Sequence, residues 1–280
     1  MGTGVTPLGP GLGWRPELAL MIERRRDLGF VEVLAEDLDP FGPLPAPIER
    51  LRDRGVTVLP HGVTLSLGGA EPLDRARLEA LGQLARRLEA PLVSEHIAFV
   101  RADGLEAGHL LPLPRTREFL DLLVANVREA QRSLPVPLAL ENVATLLEWS
   151  HPEMDEASFL TEVLERTDAL LLLDIANVHA NARNHGWDPR AYLDRIPLDR
   201  VAYVHIAGGV EREGLYHDTH AHPIAPHVLD LLEELATRTH LPGVLLERDD
   251  RFPADEELAA EMEAIAVAVA RGDVRRQGEA

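Results

Sequence analysis

Three observations predict an α/β fold that closes as a (β/α)8 barrel, the TIM barrel. The 280 residues suffice for one such domain, since these barrels typically have about 250 residues. Short apolar runs alternate with amphipathic stretches eight times, which is typical of parallel βαβ units. Six of the runs end on a metal-binding residue type, where a barrel keeps its active site. We therefore expect residues 1–280 to form a single barrel domain with a short frayed tail from Arg275.

The predicted strands follow the β-branched and Leu-rich runs in chain order. The first is the weakest because it is rich in Gly, which packs no side chain in a sheet. The eight strands are predicted at residues 9–14, 30–35, 56–60, 91–96, 136–142, 169–174, 200–206 and 243–247.

Helical periodicity fills the intervals between these strands. Pro16 opens the first helix and Gly29 closes it, as Pro and Gly commonly do at helix ends. Apolar residues at helical spacing predict further helices near 73–88, 119–127, 154–167, 227–239 and 255–271.

Composition excludes several classes of function. The formal charge of −19 would repel a phosphate backbone, so a nucleic-acid partner is not expected. The N-terminus has no apolar signal region, and no run of about 18 apolar residues occurs, so we expect a cytoplasmic protein without a membrane partner. With no Cys and no Lys, the chain has no thiolate ligand, no Cys nucleophile and no Schiff-base lysine.

The chemistry-bearing residues stand where the apolar runs stop. Carboxyl ends of parallel strands meet at one rim of a barrel, so these side chains are expected to converge there. Burying six such groups without a cation would be costly, which favours ligands over ordinary polar residues. The six strand-end candidates for metal ligands are His61, His96, Glu141, Asp174, His205 and Glu247.

Two loop segments add three candidate ligands, Asn177, Asp218 and His220. The Asp-x-His spacing of Asp218 and His220 turns both side chains the same way if the segment is extended. Nitrogen and oxygen ligands of this kind suit iron, zinc or manganese, and a bridging Glu141 would allow two or three ions. Glu32 and Glu36, beside the second strand, either orient ligands or serve the structure.

Other catalytic signatures are missing. The segment around Gly11 and Gly13 does not complete the GxGxxG pattern of a dinucleotide site. The GxSxG elbow of a Ser hydrolase is also absent from the sequence.

Seven motifs together resemble the multinuclear iron-dependent oxidases of the methanobactin-biosynthesis type, formerly a family of unknown function among the xylose-isomerase-like barrels. The resemblance extends from Gly11 to about Asp249. The motifs are HGVTLSLG at 61–68, SEHIAF at 94–99, LENV at 140–143, LLDIANVHANARNHG at 172–186, HIAGG at 205–209, DTHAHP at 218–223 and LLERD at 245–249.

The resemblance implies a cluster of two or three irons held by His61, His96, Glu141, Asp174, Asn177, His205, Asp218, His220 and Glu247. It further implies that O2 is the co-substrate for oxidation of a cysteine-containing ribosomal peptide, which a separate protein presents. Zinc or manganese is an expected replacement for iron in a purified sample. The substrate itself does not carry over, because members of the family act on different peptides.

Three alternatives remain open at this point. A divalent-metal sugar isomerase or epimerase uses the same barrel class, but Lys is often part of such a site and is absent here. A trinuclear metal phosphodiesterase uses similar ligands, although the negative charge disfavours DNA. The last alternative is a metal-binding partner module without catalytic activity.

Overall fold

The computed structural model describes residues 7–278. Its strands, in chain order, are β1 (Gly9–Gly13), β2 (Phe30–Leu34), β3 (Thr57–Gly62), β4 (Val93–His96), β5 (Phe99–Ala102), β6 (Leu105–Leu111), β7 (Leu138–Glu141), β8 (Leu170–Asp174), β9 (Val201–Ile206), β10 (Gly209–Arg212), β11 (Leu215–Asp218) and β12 (Gly243–Leu246). Eight of them close into a barrel in the order β1-β12-β9-β8-β7-β4-β3-β2.

The helices are α1 (Ala19–Arg24), α2 (Ala46–Asp53), α3 (Arg75–Leu88), α4 (Arg117–Ser133), α5 (Glu156–Thr167), α6 (Ile175–His185), α7 (Pro189–Leu193), α8 (Pro226–Arg238) and α9 (Asp255–Gly278). Side chains cap several of them: Asp74 accepts backbone N–H bonds at the start of α3, and Asp155 does so at α5.

The predicted (β/α)8 barrel is confirmed. Every barrel strand lies within a predicted strand to within about two residues, and every neighbouring pair in the barrel is parallel. The rims differ from the prediction in two places, where antiparallel hairpins follow barrel strands. These are β5–β6 and β10–β11, and each forms its own two-stranded sheet.

Two helix predictions were wrong in extent. The first helix ends at Arg24 instead of reaching Gly29, because Arg25 is already extended, with φ −72° and ψ 141°. The tail from Arg275 is helical through Gly278, and Arg275 pairs with Glu233 on α8. Residues 279–280 lie outside the described part of the chain.

The interior of the barrel is built in layers, because side chains two residues apart on a strand point the same way. An apolar layer fills its lower part: Leu8, Phe30, Leu59, Leu92, Ala139, Leu172, Ala202, Tyr203 and Leu245. On β3, β8 and β12 the next inward position, two residues on, is a predicted ligand. The fold therefore places the candidate site directly above a packed apolar floor.

Within residues 7–278, none of the helices combines the length and the apolar character that crossing a membrane requires.

Candidate metal centre

The strand ends bring all six strand-end candidates into one buried cluster at the carboxyl rim of the barrel. Their side chains form two groups that could each hold a metal ion, and the two groups share Glu141. The first group is His61, His96 and Glu141, and the second is Glu141, Asp174, His205 and Glu247. All six residues are less than 9% exposed.

The first group is organised around one oxygen of Glu141. The Nε2 atom of His61 lies 3.4 Å from Glu141 Oε2, and the Nε2 atom of His96 lies 3.2 Å from the same oxygen. His96 Nδ1 faces the carbonyl of Gly62 at 3.2 Å. In neutral His96, donation of the Nδ1 proton to that carbonyl leaves Nε2 unprotonated and turned toward the cluster.

The second group contains two fully buried residues, Asp174 and His205, and His205 contacts two of its carboxylates. Its Nδ1 atom is 3.3 Å from Glu141 Oε1 and 3.1 Å from Glu247 Oε2. Glu141 thus presents one oxygen to each group, which is the arrangement of a carboxylate that bridges two ions.

A third group lies on the outer side of Glu247 and contains His220, Glu247 and Asp249. His220 Nδ1 is 2.7 Å from Asp249 Oδ2, and His220 Nε2 is 2.6 Å from Asp218 Oδ2. His220 has a positive φ of 49°, so the segment is not extended there, contrary to the sequence prediction. Asp218 and His220 nevertheless meet, because the chain turns back after β11.

Asn177 is in a helix rather than in the predicted loop. β8 passes directly into α6 at Asp174, whose Oδ1 atom accepts the backbone N–H of Asn177 at 2.7 Å and caps the helix. Asn177 Nδ2 donates to the carbonyl of Asn142 at 3.0 Å. Its amide oxygen is therefore left for another partner.

The residues fit a metal cluster, because their lone pairs are buried without a donor. Within residues 7–278, five predicted ligands each have one buried side-chain atom without a hydrogen-bond partner, namely Glu141 Oε2, Asp174 Oδ2, Asn177 Oδ1, His205 Nδ1 and Asp218 Oδ1. Such atoms cost free energy unless a cation or a proton satisfies them. Their concentration at one rim supports a cation-binding site.

The electrostatics of the cluster point the same way. Burial raises the pKa of Asp174 well above its ordinary value, and the carboxylates of Asp218 and Glu141 raise it further. Burial lowers the pKa of His61 to about 4. Burial also acts against protonation of His96, but the neighbouring carboxylates, Glu141 first, raise its pKa to about 9. The cluster therefore draws positive charge, as protons or as metal ions.

Sequence reasoning missed Asp249 as a member of the third group. The signal was available, since Asp249 follows Glu247 by two residues, the same spacing as Asp218 and His220. The buried side chain of Arg15 also pairs with Asp249, with Nη2 at 2.5 Å from Oδ1.

The two glutamates near β2 have different contacts. Glu32 contacts His205 Nε2 at 3.0 Å, whereas Glu36 accepts N–H and O–H bonds from the loop after β3.

Gly208, in the HIAGG motif, explains how the loop carrying His220 approaches the barrel. A Cβ atom at Gly208 would lie 1.9 Å from the carbonyl oxygen of His222. Only Gly allows this close approach, so the motif seats the loop against the end of β9.

The fold and the buried ligand groups define a TIM barrel with a candidate multinuclear metal site. Residues 9–270 match the family described as RiPP precursor modification enzyme MbnB/TglH/ChrH, and the chain belongs to this family. The resemblance inferred from the seven motifs is therefore confirmed.

Relatives carry the name UPF0276 protein. The relative from Streptomyces avermitilis is 56% identical over 265 residues, which are 92% of this chain and 54% of that protein. The relative from Bordetella bronchiseptica is 40% identical over 273 residues, 95% of this chain and 94% of the relative. The chain thus spans about half the length of the first relative and nearly all of the second.

Solved structures show the same fold at low identity. D-Psicose 3-epimerase from Clostridium cellulolyticum has a TM-score of 0.64 and 12% identity, covering 93% of this chain and 99% of that one. Endonuclease IV from Thermus thermophilus has a TM-score of 0.60 and 18% identity, covering 94% and 99%. These likenesses concern the barrel alone.

Proposed function

We propose that the protein is a multinuclear non-haem iron-dependent oxidase that uses O2 to modify a cysteine-containing, ribosomally made peptide. The observation that carries the proposal is the continuity of the three ligand groups, joined by the shared carboxylates Glu141 and Glu247. Membership of a family of RiPP precursor modification enzymes supports a peptide as the substrate. In this proposal the peptide donates the electrons and O2 accepts them.

The ligand assignment follows the groups. His61, His96 and Glu141 would hold one ion, and Glu141, Asp174, His205 and Glu247 a second. A third ion would take His220 and Glu247, with Asp218 as a further ligand beside His220. Asn177, which follows the helix cap at Asp174, would add its free amide oxygen from the start of α6.

Iron in such a set of nitrogen and oxygen ligands supplies O2 activation and a binding site for the substrate thiolate. The chain itself has no Cys, so no internal thiol competes with the peptide for the cluster. Glu141 and Glu247, each shared by two ligand groups, would set the spacing between neighbouring ions. The apolar layer beneath these carboxylates excludes water from that side of the site. A separate protein that presents the peptide is part of the proposal, as is action in the cytoplasm, where ribosomal peptides are made.

The first test is metal content. Protein purified anaerobically from iron-supplemented cells should contain two or three irons per chain by inductively coupled plasma mass spectrometry, with a Mössbauer signal of coupled non-haem iron. Oxygen consumption should require a cysteine-containing peptide from a neighbouring gene. His96→Ala should lose iron and turnover, whereas His151→Ala, at an exposed histidine, should keep both.

Zinc alone, with iron unable to restore any oxidation, would contradict the proposal. In that case the alternative functions would be tested. Turnover of ketoses with Mn2+ would support an epimerase, and cleavage of abasic DNA would support a phosphodiesterase. Normal metal binding without any turnover would support a metal-binding module without catalytic activity.

A further inference from the structure

A chain of hydrogen bonds runs beneath the ligand cluster and joins two of its histidines. His61 Nδ1 lies 2.8 Å from Ser94 Oγ, and Ser94 Oγ lies 2.7 Å from the hydroxyl of Tyr203. The Tyr203 hydroxyl lies 2.5 Å from Glu32 Oε2, and the same oxygen lies 3.0 Å from His205 Nε2. All five side chains are buried in the barrel.

Counting protons gives every bond in this chain a direction. A carboxylate only accepts, so the Tyr203 hydroxyl and His205 Nε2 both donate to Glu32. Tyr203 has one hydroxyl proton and donates it there, so its oxygen accepts a hydrogen bond from the Ser94 hydroxyl. Because the Ser94 proton is used in that bond, Ser94 Oγ accepts a hydrogen bond from the Nδ1–H of His61. The direction of the whole chain follows from the charge on Glu32.

When both histidines are neutral, as metal binding requires, the two ends of the chain leave His61 Nε2 and His205 Nδ1 unprotonated, and both atoms face the bridging carboxylate. His61 Nε2 is 3.4 Å from Glu141 Oε2, and His205 Nδ1 is 3.3 Å from Glu141 Oε1. These histidines belong to the two different ligand groups that share Glu141. His96 has a simpler orienting contact, with the backbone carbonyl of Gly62.

We infer that Glu32, Tyr203 and Ser94 form a positioning relay that fixes the tautomers of His61 and His205 together and so couples the two metal groups on either side of Glu141. The relay crosses the barrel interior from β2 to β9 and β4, so it ties together strands that are not neighbours. The inference rests on the proposed metal centre, but it requires neither iron nor O2 chemistry.

The first experiment removes one hydroxyl group. Tyr203→Phe keeps the ring that packs in the apolar layer and deletes the middle of the relay. Tyr192→Phe is the matched control, since the Tyr192 hydroxyl is also buried but has no hydrogen-bond partner within residues 7–278. Zn2+ is the probe, and competition with a chelator gives its affinity for the metal-free proteins.

Tyr203→Phe should bind Zn2+ about 10- to 100-fold more weakly than the parent protein, as is usual when a contact behind a ligand is lost. Tyr192→Phe should bind Zn2+ like the parent. Thermal unfolding of the metal-free variants checks that both are folded at the temperature of the titration. Unchanged affinity in a folded Tyr203→Phe protein would overturn the inference.

The second experiment tests coupling along the relay. In the Zn2+-loaded protein, nitrogen-15 NMR should find His61 protonated on Nδ1 and His205 protonated on Nε2. Ser94→Ala removes a contact of His61 and none of His205, yet it should shift the His205 N–H signal through Tyr203 and Glu32. A His205 signal that stays in place would show two independent contacts and no relay.

Both readouts use zinc, so they separate this inference from the proposed function. A protein whose Zn2+ affinity depends on the relay, but which oxidises no peptide, would refute the proposed oxidase and leave the relay standing. An active iron oxidase whose Tyr203→Phe variant binds Zn2+ normally would refute the relay alone.

Discussion

The lower and upper layers of the barrel interior are made by the same strands but have opposite chemistry. On β3, β8 and β12, the residues Leu59, Leu172 and Leu245 in the apolar layer are each followed, two positions on, by His61, Asp174 and Glu247. The three Leu side chains are fully buried, whereas Asp174 buries a carboxylate oxygen that has no hydrogen-bond partner within residues 7–278. The apolar layer that stabilises the barrel and the polar layer of candidate ligands are thus about 7 Å apart along each strand.

Because the two layers are separate, the fold can tolerate the free-energy cost of burying unpaired polar atoms at the site. Unpaired buried atoms cost about 1–3 kcal/mol each, and the apolar layer and the helices around it must offset them. The comparison predicts that changes in the upper layer alter metal binding, while changes in the lower layer alter stability.

The largest effect is expected at the residue shared by two ligand groups. Glu141→Gln keeps the size of the side chain but removes the charge that faces His61, His96 and His205. We expect loss of at least one ion and a fall in turnover of more than about 1,000-fold, since both ions of the proposed centre would depend on this carboxylate. Metal analysis and peptide oxidation are the measurements. Glu156→Gln, at a carboxyl group of α5, is the control that should keep its metal.

Leu172→Ala breaks the lower layer instead. Leu172 is fully buried in the barrel, so its truncation should lower the free energy of unfolding by about 2–5 kcal/mol through lost burial and a residual cavity. Urea unfolding of the metal-free protein measures this change. Metal stoichiometry at low temperature should stay normal. If Leu172→Ala lost metal while still folded, the two layers would not be separable.

Two carboxyl groups with opposite pKa shifts sharpen the comparison further. Burial raises the pKa of Glu156 to about 7, although Arg115 opposes the shift. Glu247 has the reverse behaviour: burial would raise its pKa, but His205 and His220 hold it well below its ordinary value. Glu156, outside the ligand layer, is therefore partly protonated near neutrality, whereas Glu247, inside it, is charged.

The Glu156 pKa predicts a pH dependence of stability. The folded protein binds this proton more tightly than the unfolded chain, so its contribution is complete below the ordinary pKa and is lost as pH rises from about 4.5 to 7. The loss should be about 1–3 kcal/mol, because one pKa unit corresponds to about 1.4 kcal/mol and the side chain is partly exposed.

Urea unfolding at pH 4.5 and pH 8 checks this window. Between these values the parent protein should lose more stability than Glu156→Gln, whose amide does not titrate. Equal losses in the two proteins would mean that folding does not raise the pKa of Glu156.

The barrel and the strand-end residues were predictable because each depends on local pattern. An apolar run that stops at His61 or Asp174 fixes both the strand and the end at which the ligand lies. Asn177 was assigned to a loop because Asp174 serves as both ligand candidate and helix cap, and no loop residues separate β8 from α6. The relay was out of reach, because Glu32 and Tyr203 meet across the barrel at a sequence distance of 171 residues.

The smallest effect concerns the protons that a metal must displace. Histidine binds metal only in its neutral form, and the pKa of His96 is raised to about 9 in the metal-free cluster. Below that pH, binding of an ion releases the proton of His96, so the apparent affinity should fall about tenfold for each pH unit. Zn2+ affinities at pH 6, 7 and 8, corrected for protonation of the competing chelator, should therefore increase in that order. Constant affinity across this range would mean that metal binding displaces no proton, and that His96 is neutral in the metal-free cluster at these pH values.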